Sequence, residues 1–161
     1  MNALSSDALN ELNLNIRSTD VMNISRLIES PKWGKLKFVT IGGCTVSADV
    51  TRFLHLKKCI IAKENISKEE LILLKVAILG ACSKKDFVIK CNFINEVTEE
   101  ALHAIFDRNP AARTEGDNGE VTTRWEYQRK RHNVEVEYRQ LGDRDAHAFQ
   151  FTFKALLSST N

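Results

Sequence analysis

The stretch Lys58-Cys59-Ile60-Ile61-Ala62-Lys63-Glu64-Asn65-Ile66-Ser67-Lys68-Glu69-Glu70-Leu71 decides how the rest of the chain is read. Its first part is a short apolar run around Cys59, Ile60 and Ile61, of a length that suits a strand. Ser67 and Glu70 then stand at the spacing of a reciprocal capping box, in which the serine hydroxyl and the glutamate carboxylate each satisfy an orphan amide at a helix start. Leu71, Leu74, Ile78 and Cys82 follow at helical spacing, and Gly80 is expected near the helix end. The stretch is therefore one strand, one cap and one amphipathic helix.

Working outward, the same unit recurs between Leu12 and Phe106. Apolar runs occur at Leu12, Leu14 and Ile16, at Leu36, Phe38, Val39 and Ile41, and at Phe87, Val88, Ile89, Cys91 and Phe93. The caps that follow the four runs are Ser18, Ser47, Ser67 and Thr98, spaced 29, 20 and 31 residues apart. A first helix carries Val21, Ile24, Leu27 and Ile28 and ends at Pro31. A second, the shortest, spans Asp49 to Leu56, and a fourth carries Ala101, Leu102, Ile105 and Phe106. Such spacing implies neighbouring parallel strands with helical crossovers, near the period of leucine-rich repeats although no regular leucine ladder recurs. A compact α/β sandwich of the same elements is the alternative.

Asn109 to Glu120 reads as a loop because Pro110, Gly116, Asp117, Asn118 and Gly119 fall within it. Beyond it Trp125 and Tyr127, then Val134, Val136 and Tyr138, then Phe149, Phe151 and Phe153 alternate at period two, which predicts three antiparallel strands. Their apolar face is expected to cover the end of the repeats. The predicted fold is α/β: a short leucine-rich-repeat-like strand–helix solenoid over 12–107 with an antiparallel β cap over 121–154, in one domain across 1–161.

Lys and Arg total 23 against 21 Asp and Glu, so bulk charge supplies no broad attraction for nucleic acid or anionic lipid. Met1 to Asn10 has neither the basic start nor the apolar run of a signal peptide, and no stretch is long enough to span a bilayer, so a soluble intracellular protein without membrane association is expected. Cys44, Cys59, Cys82 and Cys91 lie 15, 23 and 9 residues apart, with no C-x-x-C pair, and are read as reduced, buried thiols rather than a zinc site.

The catalytic and cofactor motifs sought are absent: there is no phosphate-binding loop, and Gly42-Gly43 lacks the remainder of a dinucleotide fingerprint and reads instead as a tight strand-to-helix turn. Glu69-Glu70 and Glu99-Glu100 fall where acids favour the positive end of a helix dipole, so they are read as structural and not as paired acid and base. His55 and His103 have no companion motif. The chain is read as a non-enzyme without cofactor or metal.

Arg124-Trp125-Glu126-Tyr127-Gln128-Arg129-Lys130-Arg131-His132 has the composition of a contact surface. Arg124, Trp125, Tyr127, Arg129, Lys130, Arg131 and His132 are the candidate partner-binding residues, because arginines and aromatics anchor protein interfaces. A basic aromatic hairpin that stacks bases is the alternative, and a hairpin with Trp125 and Tyr127 turned to the core is the purely structural one. Across Arg108–Arg144 eight basic side chains face seven acidic ones, which favours a protein partner over RNA.

The order Phe53-Leu54-His55-Leu56, Cys59-Ile60-Ile61, Ile66-Ser67-Lys68-Glu69-Glu70-Leu71, Leu74, Ala81-Cys82-Ser83, Phe87 and Ile89-Lys90-Cys91 resembles the FTH domain, the C-terminal region of nematode F-box proteins of the F-box A type. The resemblance continues through Leu102 and Ile105-Phe106 to Tyr127, Val134, Val136 and Phe151. It implies the region that recruits the substrate of a cullin ubiquitin ligase, whose F-box docks on the ligase adaptor. No Leu-Pro start with F-box leucine spacing precedes Leu36, so the expectation is an excised fragment or a member that binds without bringing a ligase.

Overall fold

The computed structural model describes residues 10–17, 20–95, 97–106, 109–116, 119–129, 132–141 and 148–156. The elements run β1 (Glu11–Asn15), β2 (Val21–Met22), α1 (Ser25–Ile28), a 3-10 turn at Trp33–Lys35, β3 (Phe38–Gly42), β4 (Thr45–Val46) and a 3-10 turn at Val50–Phe53. They continue with β5 (Lys58–Ser67), α2 (Lys68–Leu79), β6 (Asp86–Asn95), α3 (Glu99–Ile105), β7 (Ala112–Glu115), β8 (Val121–Tyr127), β9 (Asn133–Gln140) and β10 (Phe149–Leu156).

Eight strands form one sheet in the order β1-β3-β5-β6-β10-β9-β8-β7. The first four are parallel, and β10 joins them antiparallel at the edge of β6, after which the ladder stays antiparallel to β7. The mainly parallel sheet expected from Leu12 to Phe93 is present. The C-terminal strands do not lie across the end of the repeats as expected. They extend the same sheet, because pairing the open edge of β6 satisfies its main-chain groups directly.

The helical halves of the first two units are shorter than the periodicity implied. Val21 stands in β2, which pairs with β4 in a separate two-stranded parallel ladder, and only Ser25–Ile28 is helical. The second unit makes the 3-10 turn Val50–Phe53, capped by the Asp49 carboxylate accepting from Thr51 N–H at 2.8 Å, where Ser47 was expected to cap. Carboxylate and hydroxyl compete for the same role, and Asp49 is the one adjacent to the turn. Ser18 lies outside the described residues. The third and fourth units match their sequence reading: Ser67 and Glu70 form the reciprocal cap of α2, and Thr98 accepts from Ala101 N–H at 3.2 Å to cap α3.

Two further differences concern the ends of elements. Gly43 joins β3 to β4, strand to strand, with φ +76, and a Cβ there would stand 2.3 Å from the Ile16 carbonyl oxygen. Only glycine fits that corner. The segment read as a loop contains β7, a short edge strand exposed along its length; Ala112-Arg113-Thr114-Glu115 carries no apolar alternation from which a strand could be read.

The core is set by register. One row on the inner face crosses seven strands, from Leu12 through Val39, Cys59, Phe87, Phe153 and Val136 to Trp125. From the helical side Leu71, Leu74 and Ile78 of α2 and Leu102, Ile105 and Phe106 at α3 complete the same buried cluster. Phe106 meets Trp125 at 4.7 Å and Phe153 at 6.2 Å between ring centroids. Cys44, Cys59 and Cys91 are buried here as expected, and burial pushes the Cys91 thiol up to about 12. Cys82 is not: α2 ends at Leu79, and Cys82 is exposed beyond it.

Candidate interaction surface

Because successive side chains of a strand alternate between faces, the residues between the core positions project to the other side of the sheet. One row on this outer face takes a residue from each of the eight strands: Asn13, Thr40, Ile60, Val88, Thr152, Glu137, Arg124 and Ala112. The second row runs Ala62, Lys90, Gln150, Arg139, Thr122 and Thr114. The helices pack against the inner face, whose side chains form the core cluster, while most of these outer positions keep partial exposure. The result is a broad, ordered platform held by main-chain hydrogen bonds.

Its two halves differ in chemistry. The parallel half carries Phe38, Thr40, Ile60 and Val88, with Phe38 38% exposed. The antiparallel half carries an ion-pair network centred on Glu137. Arg124 reaches Glu137 at 3.1 Å and Glu135 at 3.3 Å, while Arg139 reaches Glu137 at 2.9 Å and Glu120 at 3.2 Å. The hydrogen bond that Arg124 donates to Glu137, with the charge of Glu135 beside it, holds the guanidinium pKa above its ordinary value. These pairs, within β9 and across to β8, hold the side chains of the face in a preset pattern.

The residues singled out in the basic aromatic segment are divided by the fold. Arg124 stands on the outer face, within the network. Trp125 and Tyr127 point inward, only 1% and 7% exposed, and the Tyr127 hydroxyl donates to the Phe106 carbonyl. His132 is buried. Arg129 is exposed at the far end of β8, and its guanidinium donates to the Leu79 carbonyl at the end of α2. Lys130 and Arg131 lie outside the described residues. Alternation, which placed Trp125 and Tyr127 on one side and Arg124 and Glu126 on the other, was the signal that separates them.

A second feature escaped the sequence reading. Lys63 occupies an inward position of β5, and its ammonium pairs with Glu70 below the protein surface. Glu70 also accepts from Val50 N–H and Ser67 N–H, each at 3.1 Å. The pair forms the floor of a cleft of about 540 Å³ at the carboxyl ends of the parallel strands, bordered by Val21, Ser47, Asp49 and Asn65. Its charges are matched and its hydrogen bonds made, so it ties α2, the 3-10 turn and β5 together. The period-two run Cys59, Ile61, Lys63 carried the signal, a cation at an inward strand position.

The other polar groups considered earlier are engaged structurally. His55 Nε2 lies 3.1 Å from the Trp33 carbonyl oxygen, and His103 stacks edge-on against Trp125. Glu69, Glu70, Glu99 and Glu100 all stand in first helical turns. No group of three or more potential metal ligands occurs among the described residues, and no helix among them is long and apolar enough to cross a membrane.

Fold and surface together define a mixed α/β protein that presents the outer face of a large sheet. The FTH domain family model matches residues 1–109, and the chain belongs to that family. The match spans β1 to α3 and ends before β7, so the resemblance read into Tyr127, Val134, Val136 and Phe151 extends past it. No curated protein and no solved structure matches the chain.

Proposed function

We propose that this chain is a non-catalytic protein-recognition module, the substrate-recruiting region of an F-box subunit of a cullin ubiquitin ligase. Membership of the FTH family supports the connection with F-box proteins. The single observation that carries the recognition role is the outer face of the sheet, where eight strands align a row of side chains from Asn13 to Ala112. A partner would be read by shape and by the change from apolar to ion-paired surface along that row. Phe38, Ile60 and Val88 form the apolar contact region, and the Arg124–Glu137–Arg139 network sets register.

Protein is favoured over RNA by two features of the sheet, one on each face. Base stacking needs open aromatic rings, and those of Trp125 and Tyr127 are spent in the core. Phosphate contacts need uncommitted cations, and Arg124 and Arg139 are each held by two carboxylates.

The test is affinity capture from a nematode extract with the full chain, run beside an I60K/V88E variant. Ile60 and Val88 are direct cross-strand neighbours, so the substituted pair retains complementary charge and the fold. Proteins retained by the wild type and lost from the variant, with little response to salt, are the expected result. Identical retention by both, or salt-sensitive retention of single-stranded RNA instead, would refute the assignment.

A further inference from the structure

The 12-residue helix α2 is apolar on both sides. Leu71, Leu74 and Ile78 face the core, yet Ile72, Leu73 and Val76 are 39%, 42% and 63% exposed. Together with Glu69 and Gly80 they make a continuous stripe along the outer side of the helix, at the i, i+3, i+4, i+7 spacing by which helices meet. A contiguous exposed apolar stripe of this kind marks an association site.

We propose that α2 packs antiparallel against α2 of a second copy, across a twofold axis beside Leu73 and Val76. The charges at the two ends of the stripe select both partner and direction. The acidic end carries Glu69 in the first turn. The basic end carries the Arg129 guanidinium, docked on the Leu79 carbonyl of the last turn. Antiparallel packing of two identical helices lays each acidic end over the other's basic end, so Glu69 of each copy meets Arg129 of the other. Parallel packing would set like charge against like. Because a twofold interface repeats every contact, both ion pairs form together, and the two helix dipoles run in opposition. The apolar centre excludes water and the charged ends fix register. The outer sheet face, on the other side of the core from α2, stays open in such a dimer.

Sedimentation equilibrium of the full chain across a concentration series tests this. The expected wild-type result is a mass that rises toward twice that of the chain. V76D should weaken association by at least about tenfold, the scale set by removing one buried valine and burying a charge in its place. I72K should act in the same direction, and because both side chains are exposed, their far-UV spectra and unfolding midpoints should match the wild type. E69R alone and R129E alone should each associate poorly, since each sets like charges together. An equimolar mixture of E69R and R129E should recover a dimer containing one of each, because the exchanged charges are again complementary. A wild-type chain that stays monomeric throughout, variants at Val76 and Ile72 that associate like the wild type, or a charge mixture no better than its components would each overturn the proposal.

Discussion

Lys63 shows how much a single side chain holds together. Its ammonium meets the Glu70 carboxylate in a nearly dry setting, and Glu70 at the same time closes the cap of α2 and accepts from the turn at Val50. K63M leaves that carboxylate buried without a cation and should lower stability by about 3 kcal/mol, read from denaturant unfolding. The K63M/E70Q double variant should regain part of the loss, since the neutral amide no longer needs a counter-charge; a K63M midpoint equal to wild type would show the pair to be dispensable. Asp49 adds a smaller, pH-dependent share. Its hydrogen bonds to Thr51 hold the carboxyl below the ordinary carboxylate value, so its contribution is present above about pH 4 and is lost as the pH falls through the depressed value. D49N should therefore flatten the acid limb of the stability curve. Thiol reagent under native conditions should modify Cys82 rapidly, and Cys44, Cys59 and Cys91 only on unfolding, a division readable by mass spectrometry of the labelled peptides. Rapid labelling of Cys59 would contradict its burial. The sequence indicated three of these four environments. It misplaced Cys82 because helical spacing continues on paper past Leu79, where the helix itself has stopped.

Among the elements, legibility followed the strength of local chemistry. β5 and α2 were readable because a capping box and an apolar period agree on one boundary, and β8, β9 and β10 because alternation is unbroken along each. The first two units were not readable in the same detail. Val21 and Ile24 satisfy a helical period by chance of spacing, while the main chain is drawn into a two-residue ladder with β4 that only the fold supplies. β7 was hidden for the opposite reason: an edge strand with both faces in water has no need of apolar residues, so nothing in Ala112–Glu115 records that it is a strand. The outer platform was only partly foreseen. Strand faces and Arg124 were expected in it, whereas the neighbourhood of Ile60 and Val88 depends on register between strands far apart in sequence. The corner at Gly43 offers a direct test at this scale. G43A forces a Cβ toward the Ile16 carbonyl oxygen in a left-handed backbone conformation, and should cost about 2 kcal/mol or more and lower the melting temperature. An unchanged melt would mean that the corner can open without loss.

At the scale of the molecule, the matched region and the folded sheet have different limits. Residues 1–109 contain β6 but not β10, the strand that pairs with it. A polypeptide cut at 109 should expose the β6 edge together with Phe87 and Ile89, and should self-associate into large species by light scattering while the full chain does not. A well-behaved fragment would show that β10 is an accessory. β10 is the last in sequence of the strands among the described residues, and it lies in the interior of the sheet, between β6 and β9. Synthesis from the amino terminus therefore delivers the two flanking groups of strands before the piece that unites them. A nascent chain on the ribosome must keep the β6 edge unpaired until the segment Phe149–Leu156 has cleared the exit tunnel, and the interval between the emergence of the two strands is when this molecule most needs a chaperone.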